Sequence, residues 1–193
     1  MDAAAFGHAW HPRPLARFPE LAHSAAEMLH SPPALLGLSA VEARAVISAM
    51  QLYDIPKGAT LLAELEQHDT GHMFLILSGE VSVEVDHAGP APVPISVLGA
   101  GSLIGEMALL DGQPRSTHCT ALSPVQAAGL SRAGLDVLIG SQPRVAARLL
   151  AEVGSVVSSR LRALSDQLRI YARLAESQQR EIARLKQARS DGR

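Results

Sequence analysis

Three kinds of hydrophobic spacing succeed one another along the chain. Residues 1–19 place Pro12, Pro14 and Pro19 among alanine and histidine with no apolar period, which reads as an extended or mobile lead-in. A short helix is predicted over about Glu20–His30, stopped by Ser31-Pro32-Pro33. Ser39-Ala40-Val41-Glu42 then has the spacing of a capping box, in which each side chain satisfies a free amide at the other. It predicts a helix from Ala40 to about Leu52, with Val41, Ala45 and Ile47 inward.

From Tyr53 the spacing shortens to runs of four to seven residues broken by glycine. Strands are predicted over Met73–Leu77, Glu80–Val85, Ile95–Leu98 and from His118 to Leu130, with Pro90, Pro92 and Pro94 in a loop. Glu80–Val85 alternates strictly, valines to one side and polar groups to the other, as on a half-buried antiparallel sheet. A β-sandwich or barrel is the natural closure. The helical period returns near Arg132 through Leu135, Leu138 and Ile139, breaks at Gly140–Pro143, and then runs almost to the end.

Within that last helix Leu161, Leu164, Leu168, Tyr171, Ala175, Gln178, Ile182 and Leu185 step by three and four without a miss. This is a coiled-coil heptad, and with Leu161 at position a, Glu181 and Lys186 take the g and e positions that pair between parallel strands. A parallel homodimer is expected, its seam weakened at Ala175 and given register by the polar Gln178. Leu150, Val153 and Val157 lie upstream, where the helix is expected to pack on the β-domain as well.

Between the strand ending at Leu98 and the one starting at His118, residues 101–121 hold a glycine turn, a very short helix and a Pro114-Arg115 pair. Gly105 opens the helix with free backbone amides, and Arg115 offers a forked cation able to hold two phosphate oxygens. Glu106 would repel a phosphate unless it accepts from a neighbouring hydroxyl, such as that of a ribose. Together they describe a site for a sugar joined to a phosphate.

Composition narrows the alternatives. With 47% hydrophobic residues the chain has apolar area enough to fold. No segment reaches the ~18 apolar residues of a membrane span, and the start lacks a signal-peptide pattern, so a cytoplasmic protein with no membrane partner is expected. Cys119 is the sole cysteine, which excludes an internal disulfide and a cysteine-rich zinc site. A net charge of −2 and 3% aromatic residues argue against direct DNA binding. The tail from Arg169, with seven basic and three acidic residues, fits the solvated faces of a coiled coil.

Gly105-Glu106-x-Ala108-Leu109-Leu110 followed by Pro114-Arg115-Ser116 resembles the phosphate-binding cassette of the cyclic nucleotide-binding domains, found in the catabolite activator protein and in kinase regulatory subunits. The similarity runs from about Leu35 to Leu164 and includes Ile76-Leu77-Ser78-Gly79-Glu80-Val81 and the turn Gly99-Ala100-Gly101. It implies an α+β fold: a lead-in over 1–34, an antiparallel β-roll (jelly roll) over 35–142, and a C-terminal dimerisation helix over 143–193. It also implies a cyclic nucleotide, cAMP or cGMP with cyclic di-GMP as a further candidate, as ligand and no cofactor. Glu106 would take the ribose hydroxyl and Arg115 the cyclic phosphate, with the amides of Gly105, Ala108 and Ser116 assisting. Met107 and Thr117 complete the cassette, and Val83 and Ile95 are candidate apolar contacts.

The sequence departs from the bacterial activator at Val156 and Arg160, which stand where that protein has polar contacts to base and phosphate. Base selectivity is thereby open. Ser158, Ser159 and Arg160 are candidates to meet the base, and an arginine at a purine edge favours guanine. The bacterial regulators continue into a winged helix-turn-helix, whereas this sequence stops at Arg193, so the expected output is a change of helix packing passed to a partner protein. A ligand-free dimeric scaffold and a transcription regulator acting through a DNA-binding partner are the alternatives.

No catalytic or metal site is expected. His118 and Cys119 are strand neighbours that point oppositely, a poor dyad. His68, Asp69 and His72 fall before a strand in a loop, and His8 and His11 in the lead-in, where no cage is set.

Overall fold

The computed structural model describes residues 11–30, 36–64, 71–86 and 92–191, with side chains through Arg180 and at Ile182. His8, His68, Asp69 and Pro90 lie outside the described residues, as do parts of the lead-in. The chain divides into two compact units at Gly154/Ser155.

The first unit begins with β1 (Arg13–Pro14), a single 3-10 turn at Leu15–Arg17 and α1 (Pro19–His30). Within the lead-in, expected to be extended or mobile, Arg13–Pro14 is extended and its neighbours are held in place. Leu15 is fully buried and its amide donates to Met50 O at 3.2 Å, β1 pairs with the strand at Gln51–Leu52, and Arg13 bonds Asp54 while lying over the Phe18 ring. One apolar residue among prolines has no period to be read, yet it anchors the segment. α2 (Ala40–Ser48) is shorter than expected, because the chain turns extended at Gln51. The capping box at its start is formed in both directions. Ala43, Val46 and Ile47 are its buried face, whereas Val41 is 70% exposed, which corrects the inward assignment of Val41.

Eight further strands follow: β2 (Gln51–Ile55), β3 (Thr60–Leu62), β4 (His72–Ser78), β5 (Val81–Val85), β6 (Val93–Leu98), β7 (Leu103–Ile104), β8 (His118–Ala121) and β9 (Val125–Ser131). The predicted strand from His118 to Leu130 is two strands, split at Leu122–Pro124 where the chain passes from one sheet to the other. Pro94 lies in β6, not in a loop, on an edge strand of its sheet, where proline is best tolerated. The sheets have the orders β1-β2-β9-β4-β7 and β3-β8-β5-β6, and all their pairings are antiparallel.

Strand alternation sorts the side chains into two layers. Ile55, Phe74, Ile76, Ile104, Val125 and Ala127 meet Leu61, Leu62, Val81, Val83, Cys119 and Ala121 between the sheets, as the β-roll predicts. Leu52, Met73, Leu75, Leu103 and Leu130, on the alternate positions, are buried as well, and α1 and α4 (Arg132–Ser141) contact this first sheet. Valines 81 and 83 point inward as expected, but Ser82 on the opposite face is buried too.

α5 (Pro143–Asp191) begins in the first unit. Ala146, Leu149 and Val153 are its buried residues there; of the expected Leu150, Val153 and Val157, Val153 is buried and the other two are half-buried. Among the described residues no helix is long and apolar enough to cross a membrane.

Candidate functional site

Residues 105–117 carry the chain from β7, paired with β4 in the first sheet, to β8 in the second. The crossing starts at Gly105, in the left-handed region at φ 75°, and its short helix, α3 (Glu106–Asp111), ends on a second left-handed glycine, Gly112. Ala108 and Leu109 are buried and fix α3, while Met107 is exposed. A side chain at Gly105 would face a doubly forbidding site. Its Cβ would stand 2.7 Å from Arg115 Nη1 and 2.8 Å from His72 O, besides the positive φ.

Arg115 and Glu106 are 4% and 3% exposed, which places a cation and a carboxylate inside the same cassette. A buried charge is costly unless hydrogen-bonded, and Arg115 Nη1 donates to His72 O at 2.8 Å and to Gly105 O at 3.0 Å. The side chain is therefore held by backbone from β4 and from the start of the cassette. Behind them Cys119 packs on the inner face opposite Val83 and Leu62. Burial pushes its thiol up to about 11, against a smaller lowering by Thr117 and Arg115. The arrangement is suited to receive an anion at Arg115 and a hydroxyl donor at Glu106.

The remaining candidates are spread more widely. Ser116 is exposed, its Oγ 4.0 Å from Met107 Sδ, and Thr117 is half-buried. Val83 lies in the core between the sheets, but Ile95 is 55% exposed. A β-bulge between β5 and β6 makes Ser96, rather than Ile95, the cross-strand partner of Val83. Ser158 and Ser159 are exposed and Arg160 is half-buried, all in the second unit. In that unit Leu161, Leu164, Leu168, Tyr171 and Ile182 are each more than half exposed, Ala175 and Gln178 are exposed, and the Leu185 side chain lies outside the described residues. Ile170 and Leu174, off the heptad, are exposed as well.

Three groups escaped the sequence reading. His72 supplies the carbonyl that positions Arg115, a backbone role that any residue type could fill and that no local pattern marks. Its ring stacks on Phe74 with centroids 5.9 Å apart, and Tyr53 meets Phe74 edge-on at 5.2 Å. Both Tyr53 and Phe74 lie against Gly129, where an added Cβ would come within 2.6 Å of one ring and 2.9 Å of the other. Finally, Glu64, Asp86 and His118 bring three potential ligand atoms within 4.8 Å of one another. His118 Nδ1 accepts from Glu64 N at 3.1 Å, which leaves the neutral ring's proton on Nε2, 3.3 Å from Asp86 Oδ1. That proton occupies the lone-pair direction a metal would need, so the cluster is a hydrogen-bonded clamp between the ends of three strands.

The family model described as Cyclic nucleotide-binding domain matches residues 53–142, from β2 to the end of α4. A solved cyclic nucleotide-binding domain from Methylobacillus flagellatus is 31% identical, with 82% of this chain and 85% of that one covered at a TM-score of 0.65. A cyclic nucleotide-gated potassium channel of Mesorhizobium japonicum is 36% identical over 52% of this chain and 26% of its own length. A CRP-like cAMP-activated global transcriptional regulator of Mycobacterium tuberculosis is 27% identical over 64% of this chain and 53% of its own. This chain thus spans between about a quarter and about half of these two curated relatives. The match to the solved domain, covering more than four-fifths of both chains, completes what the cassette and the antiparallel roll began: this chain belongs to the cyclic nucleotide-binding domain family.

Proposed function

We propose that the chain is a cyclic-nucleotide sensor rather than an enzyme: it binds cAMP or cGMP in the 105–117 cassette and passes the signal to a partner protein in the cytoplasm through altered helix packing. The observation that carries this reading is the burial of Arg115 beside Glu106 in a cassette whose opening glycine admits no side chain. Arg115 matches the cyclic phosphate, Glu106 the ribose 2′-hydroxyl, and the amides of Gly105, Ala108 and Ser116 the remaining phosphate oxygens. Val83 contributes the apolar wall, and Ser158, Ser159 and Arg160 are the candidates for the base.

The relatives named above share a cyclic nucleotide in their names and differ in output, one a channel and one a transcriptional regulator. The partner here is accordingly left as a protein that reads the helix. The exposed apolar steps of α5 from Leu161 support a parallel homodimer as the signalling form.

A second reading, a dimeric scaffold with an empty pocket, draws on the two backbone carbonyls that accept from Arg115 Nη1. Titration calorimetry with cAMP, cGMP and cyclic di-GMP separates the two. Saturable heat with one of them is expected, and no heat with any of the three would replace the sensor by the scaffold.

A further inference from the structure

β6 is a strand that the core of the roll barely claims. Val93, Pro94, Ile95, Ser96 and Val97 are exposed and Leu98 is half-buried, whereas every residue of its neighbour β5 is buried or half-buried. Three of the exposed five are β-branched and apolar, Val93 at 41%, Ile95 at 55% and Val97 at 56%. Such residues suit a strand, but here much of their apolar area stays in water. The register spreads them over both faces. Val93 stands opposite Val85 and Val97 opposite Ser82, and Val85 and Ser82, an odd number of positions apart in β5, face oppositely.

β6 also ends its sheet. In the order β3-β8-β5-β6 it pairs with β5 alone, so among the described residues the backbone groups on its far side meet no strand. Pro94 has no amide to offer, which confines a continuous row of donors to Ile95–Leu98. Apart from that proline, β6 carries none of the charged side chains that commonly block pairing at an edge. The surrounding charge is of one sign. Glu80, Glu84 and Asp86 lie before, within and after β5, and Glu64 accepts from Asp86 N at 2.8 Å, while the four strands of this sheet contain no lysine or arginine.

We infer that β6 is a docking edge for an extended segment of a partner protein, rich in β-branched residues and carrying lysine or arginine at its ends, which adds to this sheet as a fifth strand. Backbone bonds to Ile95–Leu98 hold the segment, its apolar side chains cover Ile95 and Val97, and its cations meet the carboxylates of β5. Those carboxylates lie two strand spacings away, roughly 10 Å, within the combined reach of a lysine and a glutamate side chain. A second copy of this chain fits less well, because pairing two β6 edges brings the same carboxylates together. The inference goes beyond the sensor reading and stands without it, since no ligand in the cassette is needed.

Fluorescence anisotropy with the full chain and a labelled, end-capped peptide, Lys-Val-Thr-Val-Thr-Val-Lys, tests the edge. This peptide is expected to bind about tenfold more tightly than the same peptide with glutamate at both ends. N-methylation of its three central amides removes backbone donors and leaves its charge alone, and should weaken it about tenfold. Val97→Ser on the protein should weaken it about fivefold. No saturable binding, equal binding of the two end-charge forms, or an affinity that neither N-methylation nor Val97→Ser lowers would overturn the docking edge. Light scattering of the protein without peptide covers the other occupant: Val97→Ser is expected to keep the mass, and a lowered mass would assign the edge to a second copy and overturn the inference as well.

Discussion

The roll and the distal half of α5 solve the problem of apolar surface in opposite ways. In the roll, Leu75, Ile76, Leu103 and Leu130 find partners from strands and helices far away in sequence and are fully buried within one chain. In the helix beyond Leu161, leucines of the same chemistry recur at regular steps and stay more than half exposed. A lone helix gains little from propensity and most from burying its apolar face, and the first region buries its apolar residues within one chain whereas the second leaves its described ones exposed. The difference teaches where a single-chain structure ends as an explanation. It accounts for the burial within the roll, and on the proposed parallel dimer the seam would be half of an interface.

The sharpest way to break this comparison is to load the seam with charge. Leu168→Lys with Ile182→Lys would bury like charges across a parallel dimer, and light scattering should report a shift from dimer to monomer mass. The roll should not notice. Its sole cysteine, Cys119, is buried with its thiol near 11, so alkylation in native buffer should stay as slow as in the unaltered chain. An unchanged mass would remove the seam, and a newly reactive Cys119 would remove the independence of the two regions.

Arg115→Ala is the converse test, aimed at the roll. Loss of the charge-assisted bonds should weaken cyclic-nucleotide binding by about 100-fold in calorimetry while the dimer mass is kept. Binding within a few-fold of the unaltered chain would move the phosphate site away from Arg115.

What could be read from the sequence follows the same divide between local and distant causes. The capping box at Ser39–Glu42, the alternation of Val81 and Val83 and the cassette from Gly105 to Arg115 are written in consecutive residues, and all three are formed. The order β1-β2-β9-β4-β7 could not be read, because β9 is placed between β2 and β4 by pairings across 48 or more residues that leave no local mark. The same holds for His72, whose carbonyl reaches Arg115 across 43 residues. Leu15 was hidden for another reason: a single buried side chain among prolines makes no period. Ile95 was displaced by a bulge, and a one-residue slip in a strand changes the face a side chain takes.

A smaller effect tests whether the cassette's geometry, and not only its charges, makes the pocket. Gly105→Ala keeps Arg115 and Glu106 but forces a Cβ into the space of Arg115 Nη1 and His72 O at a positive φ. It should destabilise the roll by about 1–3 kcal/mol in urea unfolding followed at Cys119, and weaken nucleotide binding with it. The seam mass should stay put. A fully stable variant would mean that the turn opens freely and that the pocket is less fixed than its hydrogen bonds imply.

The smallest effect belongs to the cap of α2, and it distinguishes how the two regions hold their helices. Ser39 and Glu42 exchange hydrogen bonds at 2.7 Å and 3.3 Å, and the bond from the Ser39 side chain, then that from its backbone, hold the Glu42 carboxyl below its usual range. A carboxyl lowered in the folded state contributes stability above its ordinary pKa and loses it as pH falls through the lowered one. Ser39→Ala should therefore lower the melting temperature of the roll by about 2–4 °C at pH 7, and by less as the pH falls through the lowered carboxyl range. Helix content beyond Leu161 should be the same in both proteins, since no cap of the roll reaches the seam. A loss as large below that range as at pH 7 would assign the cap to the Ser39 hydroxyl alone and leave Glu42 as a bystander.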